Sequence, residues 1–283
     1  MASLQWSTLL LDTVVLASPL LLAAIGGLAS ERSGVMNICL EGKMLGAACA
    51  TVLTSTATGN AFLGVVAGLL SAIFLSVLHA LLTQAYRLDH IVSGMAINAL
   101  ALGLSKFLAN KYLTGSQSFP LLPIEAFVVL AVAVPLATAM YLKHFRGGLR
   151  LFAVGNDPEK CRANGVDPVP IRYWALVVTG ILTGLAGAMI VTDAARFGDN
   201  VTAGKGFIAL AALILAGWRP LPVMLTCIGF GLIDALQLQL QGTKLIGAGV
   251  PSEVWNALPY LVTLLGLVIF TGKSRAPAGL GRP

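Results

Sequence analysis

The sequence predicts an all-α polytopic integral membrane protein of about nine transmembrane helices, within a range of about eight to ten. Three observations predict it. Only 11% of the 283 residues are charged and 57% are hydrophobic, against about 25% charged in a soluble domain. Apolar stretches near the ~20 residues that cross a hydrocarbon core recur along the whole chain. Lys and Arg gather in alternate connections between those stretches, as the positive-inside rule requires.

Spans are expected near 9–28, 36–56, 61–83, 91–110, 124–142, 172–192, 205–217, 221–241 and 254–271. The first 31 residues hold no Lys or Arg, so a cleavable signal with a basic start is not expected. The second span carries Asn37, Glu41 and Lys43. Glu41 follows Asn37 by one helical turn, which predicts a shared face. The fourth span carries Ser93, Asn98 and Lys106 and is expected to be shielded by other helices. The stretch 205–217, with GFIALAALILAG at 206–217, is short and predicts a half-helix or a steep tilt. Asp234 and Gln237 share a face three residues apart. Small residues every four positions, Gly64–Gly68 and Gly180–Gly184–Ala188, predict close helix packing in lipid.

One set of connections holds 12 of the 18 basic residues: Arg32, Arg87, Lys143, Arg146, Arg150, Lys160, Arg162, Arg172, Arg219, Lys273, Arg275 and Arg282. The opposite set holds Lys111, Arg196, Lys205 and Lys244. The first set is therefore expected in the cytoplasm, with the amino terminus outside and the carboxyl terminus inside. This places the polar stretch 143–171 on the cytoplasmic face. Within it, Asp157-Pro158-Glu159 is a helix start and Asn164-Gly165 a stop, so a short helix is expected over 158–164. Asp167-Pro168 and Pro170 then stiffen the exit. A short charged helix on the water side suits the groove of a soluble partner.

Four scattered cysteines (Cys39, Cys49, Cys161, Cys227) and three isolated histidines (His79, His90, His144) form no ligand spacing, so no metal site is expected. No GxxxxGK[ST], HExxH or GxSxG motif occurs, which argues against ATP binding by a phosphate loop and against membrane-enzyme chemistry.

ERSGVMNICLEGKML (31–45), residues 153–190, GKGFIALAALILAGWRPL (204–221), FGLIDALQLQLQ (230–241) and ALPYLVTLLGL (257–267) resemble, in order, the permease subunits of bacterial ABC importers for nucleosides and simple sugars. The resemblance implies one transmembrane permease domain over 1–283 in the bacterial inner membrane. It implies no catalysis and no cofactor on this chain, with ATP and Mg bound by cytoplasmic ABC ATPase cassettes, in tandem in many relatives. It also implies a homologous second permease and an external substrate-binding lipoprotein; no nucleic-acid partner is expected, and the remaining partner is membrane lipid. Gly155, Asn156, Asp157, Pro158, Glu159, Lys160, Arg162 and Gly165 become the ATPase-coupling residues. A bulky residue at Gly155 is expected to uncouple transport without unfolding the chain. Asn37, Glu41, Asn98, Asp234, Gln237 and Asn256 are candidates to line the translocation path, and Phe107, Tyr112, Phe207, Trp255 and Tyr260 to stack on a base. The chain departs from the family at Cys39, where Gly is common, and at Lys43, where an apolar residue is common. Lys43 is expected to snorkel or to pair with Glu41 or Asp89. The alternatives are the same scaffold importing simple sugars, and an ion-coupled secondary transporter using Glu41 and Asp234.

Overall fold

The computed structural model describes residues 6–113, 119–240, 252–270 and 276–282, with backbone only at 252–256, 267, 269 and 270. Lys244, Lys273, Arg275 and the side chains of Trp255 and Asn256 lie outside the described residues. Among those described, every regular element is a helix: α1 (Trp6–Arg32), α2 (Leu40–Thr58), α3 (Ala61–Ala80, continued by a wide π turn, Leu81–Ala85), α4 (His90–Tyr112), α5 (Ile124–His144), α6 (Arg146–Asn156), α7 (Pro158–Ala163), α8 (Pro168–Ala194), α9 (Lys205–Leu215), α10 (Pro220–Leu240) and α11 (Ser252–Phe270).

Helix starts follow local chemistry. Asn60, Asp89, Asp157 and Asp167 each accept hydrogen bonds from the first-turn amides of α3, α4, α7 and α8, filling acceptor sites that no intrahelical carbonyl can supply. α7 matches the short helix expected at 158–164 to within a residue. α8 begins earlier than the span at 172 because Pro168 sits in its first turn, where a missing N–H costs nothing. α6 was not expected as a helix of its own. Its start, Phe145-Arg146-Gly147-Gly148, offers no capping side chain.

Among the described residues six helices are long and apolar enough to cross a membrane: α1, α3 with its π turn, α4, α5, α8 and α10. These are six of the nine expected spans, and the other three correspond to α2, α9 and α11. α9, at 11 residues, is about 16 Å long, half of a ~30 Å core.

α1 and α8 form the centre. In α8 78% of the most apolar stretch is buried, against 17% in α5, so α5 is peripheral. α1 packs on α10, α8 and α9, and α3 on α2 and α8. The spaced small residues make these contacts. A Cβ on Gly180 would lie 2.7 Å from the Ile73 Cα, and one on Gly184 2.9 Å from the Leu69 Cα, so α3 and α8 touch backbone to backbone. All four cysteines are buried and free.

Gly180→Ala must push α3 and α8 apart and is expected to cost about 1–3 kcal/mol. Gly103→Ala, with no atom within 4 Å of the added carbon, should be neutral or gain up to ~1 kcal/mol from helix propensity. Thermal unfolding of the two purified variants beside the parent chain checks the contrast.

Candidate functional site

α1 and α2 are joined by residues 33–39, an irregular and largely buried segment. Backbone polar groups in such a place need partners, and five residues from four elements provide them. Arg172 of α8 donates Nε–H to Ser33 O at 3.2 Å. Met36 N–H donates to His90 Nδ1 at 3.1 Å, and His79 Nε2 lies 3.1 Å from Met36 O. A carbonyl only accepts, so His79 carries its proton on Nε2 and accepts from Ser93 on Nδ1 at 2.9 Å. Asn98 of α4 donates to Ile38 O at 3.1 Å and accepts from Gly42 N–H at 2.8 Å. Gly281, in the carboxyl-terminal stretch, donates to Gly34 O at 2.9 Å.

Asn37 lies in this connection, before α2 begins. It therefore shares no helix face with Glu41, contrary to expectation. Its Nδ2 donates to Ser30 Oγ at 2.9 Å and its Oδ1 accepts from Lys43 Nζ at 3.0 Å. Lys43 neither snorkels nor pairs with Glu41 or Asp89. It is fully buried, and among the described residues no carboxylate lies within 4 Å of its ammonium. The reason is geometric: α2 packs against α3, α4, α8 and α9, and Lys43 is wholly enclosed among them.

Glu41 instead reaches α9. Its Oε1 accepts from Thr202 Oγ at 2.6 Å and Gly204 N–H at 2.9 Å, and its Oε2 from Gly206 N–H at 2.7 Å. A carboxylate at a helix amino terminus complements both the unpaired amides and the dipole. The loop it holds has left-handed backbone at Ala195, Asn200 and Ala203, each costing roughly 1–2 kcal/mol. Hydrogen bonds to a charged acceptor contribute about 1.5–3 kcal/mol each, so the three together outweigh the strain. Gly206 is required there, since a Cβ would fall 2.4 Å from Glu41 N.

The first residue of that half-helix, Lys205, pairs with Asp234 of α10 at 3.4 Å. Both are half-buried beside a cavity of about 310 Å³ lined also by Gln237, Leu16, Pro259 and Tyr260. Tyr260 donates its hydroxyl proton to Ala203 O at 2.7 Å, tying α11 to the same loop. The structure thus brings Asp234 and Gln237 together as expected and adds Lys205 and Tyr260. Asn37, Glu41 and Asn98 lie elsewhere, around residues 33–42.

The charged segment divides into two faces. Asn156, Glu159, Lys160, Arg162 and Gly165 are exposed, whereas Gly155, Pro158 and Cys161 turn inward. Asp157 accepts from Lys160 N–H at 3.0 Å and pairs with Lys160 Nζ at 2.8 Å. The Lys160 side chain, then the Lys160 amide, holds the Asp157 carboxyl below the usual carboxylate range. Gly155 has no room for a side chain, because a Cβ would overlap Arg32 O. A bulky residue there breaks the seat of the segment on α1, so clean uncoupling is not available at this position. The carboxyl-terminal stretch, whose role was not foreseen, clamps the seat: Gly279 donates to Gly155 O at 2.9 Å, two residues before Gly281 reaches Gly34. A second latch closes α1 onto the turn before α10. Trp218 Nε1–H donates to Glu31 at 2.5 Å, Arg32 donates to Trp218 O at 2.8 Å through Nε, and its guanidinium lies 4.5 Å over the Phe152 ring.

Residues 9–267 match the family described as branched-chain amino acid transport system / permease component. The chain belongs to this permease family. It is similar to the nucleoside ABC transporter permease protein NupC of Lactococcus lactis subsp. cremoris (strain MG1363), at 32% identity over 95% of this chain and 94% of the relative. It is similar to the guanosine ABC transporter permease protein NupQ of Bacillus subtilis (strain 168), at 32% over 96% and 94%. At 33% over 90% and 89% it also resembles TsgC13 of Haloferax volcanii, a permease protein named for glucose. The inward-facing structure of a transporter described as metal-chelate ABC type shares the fold, with a TM-score of 0.58 at 18% identity over 93% of this chain and 86% of that one. Membership and the six apolar helices make this a multi-pass integral protein of the bacterial plasma membrane.

Glu41→Ala strands three donors and is expected to cost about 3 kcal/mol or more. Glu41→Gln keeps one accepting oxygen and should fall between Ala and the parent. The yield of folded, monodisperse protein and its midpoint of thermal unfolding measure the order.

Proposed function

We propose that this chain is a non-catalytic permease subunit of an ATP-driven importer for nucleosides or related ribose-containing solutes. One observation carries the reading: a half-buried Lys205–Asp234 pair with Gln237 and Tyr260 around one cavity. A nucleoside offers a vicinal diol that a carboxylate can bridge, amide-matching groups on the base, and a flat face for the Tyr260 ring. The relatives named for nucleosides and guanosine support that cargo. Simple sugars are the second reading, favoured by the relative named for glucose; they would use the same polar set without the ring.

In this account Asp234 and Gln237 face the path, while Asn37, Glu41 and Asn98 hold α2 and α9 in position. The chain is a single transmembrane domain of nine spans, α2, α9 and α11 completing the count, with its amino terminus outside. The exposed face of α7 enters a groove on a cytoplasmic ATPase that holds ATP and Mg. A homologous second permease completes the path, and an external lipoprotein delivers the cargo. Movement of α7 then reaches the cavity through Gly155, residues 33–39, Glu41 and α9, a chain of direct contacts. Such a chain is suited to rigid-body switching.

The test is uptake by the importer reconstituted with its ATPase, second permease and binding protein. Labelled guanosine should accumulate on ATP addition, and Asp234→Asn should lower uptake about tenfold while ATP hydrolysis persists, the loss expected of one charged hydrogen bond. Glu159→Lys should lower uptake and cargo-stimulated hydrolysis together. Uptake that ignores ATP but collapses with the proton gradient would overturn the reading.

A further inference from the structure

A second cavity shares no lining residue with the one beside the Lys205–Asp234 pair. It measures about 570 Å³ and sits between α1, α5, α6 and α8. Its walls are apolar, including Leu28, Ala137, Leu142 and Val178. Its polar lining includes Thr138, Tyr141 and Arg150, with no Asp or Glu. Trp174, 71% exposed, is part of the lining. Arg146, also exposed, precedes Arg150 by about one turn on α6.

We propose that this groove binds one anionic phospholipid, its acyl chain between α1, α5 and α8 and its phosphate on Arg150. The volume falls in the ordinary range of small-molecule sites. A helix about 10 Å across would fill it in less than two turns, so a slender chain suits it better than a partner's helix. The charge is complementary: the lining carries Arg150 and no carboxylate, and guanidinium grips phosphate through paired N–H donors. Basic pockets between helices at the membrane surface hold anionic headgroups for the same reason. The orientation proposed above puts the lipid in the inner leaflet; the chemistry of the groove does not depend on it. α6 carries Arg150 on one side and leads into α7 on the other, so the headgroup would brace the helix that precedes the docking segment.

Trp174 reports on the groove directly. The assembled importer is placed in phosphatidylcholine vesicles containing a small, equal mole fraction of brominated phosphatidylglycerol or of brominated phosphatidylcholine. The Trp174 signal is the parent fluorescence less that of Trp174→Phe. Quenching by the brominated anionic lipid should reach half its maximum at about fivefold lower mole fraction than by the zwitterionic one, the preference expected of one surface guanidinium. Arg150→Gln, a change at an exposed side chain, should bring the two curves together while the complex still assembles and takes up cargo. Equal quenching by both lipids in the parent overturns the proposal, as does a preference that survives Arg150→Gln. Absence of quenching by either lipid overturns it too, because the groove is then covered by protein.

Discussion

Irregular backbone buried in a membrane protein must have every amide and carbonyl satisfied, and residues 33–39 are where this chain meets that demand. Arg172, His79, His90, Asn98 and Gly281 each spend a polar group on the connection. They come from α8, α3, α4 and the carboxyl-terminal stretch, and two further polar contacts, His79–Ser93 and Arg172–Gln84, join α3 to α4 and to α8 beside them. At about 1 kcal/mol for an ordinary hydrogen bond and more where a partner is charged, these contacts are worth several kcal/mol together. Leaving the same groups unpaired would cost more still. The connection is therefore a hub that fixes the relative positions of most of the bundle.

Its neighbours give the hub its use. On the water side Gly155 lies against Arg32 and Gly34 with no intervening side chain, so the charged segment cannot move without pressing on it. On the membrane side, two residues beyond its end, Glu41 holds the amino terminus of α9. α9 is too short to span by itself, and its first residue forms half of the ion pair at the cavity. Polar residues inside the bundle thus divide between two tasks. Most satisfy backbone, whereas Lys205, Asp234, Gln237 and Tyr260 present chemistry to a cavity.

Much of this was legible in the sequence, for identifiable reasons. Spans follow from hydropathy, and six of the nine expected segments are helices long and apolar enough to cross a membrane among the described residues. α7 was legible because Asp157-Pro158 and Asn164-Gly165 are local signals with local causes. The half-length of α9 was visible as a short apolar run. What escaped depends on distance in the chain. Arg172 counts by sequence as one more loop cation, yet it is wholly buried on a carbonyl 139 residues away. Asn37 and Glu41 suggested a shared face only because the start of α2 was placed four residues early. Lys43 suggested a partner of opposite charge but found an amide. The Lys205–Asp234 pair needed the α9–α10 fold to be seen, although TAGKG before a short apolar helix does mark an anion-ready helix start.

The central claim is that residues 33–39 move as one rigid body between the docking segment and the half-helix. Amide hydrogen exchange in the assembled importer tests it most directly, comparing the nucleotide-free and vanadate-trapped states. The amides of Ser33, Gly34, Val35 and Met36, all hydrogen-bonded, should stay protected to a similar degree in both states. Rapid exchange at these amides in either state would mean that the connection opens during the cycle, and the account would be wrong.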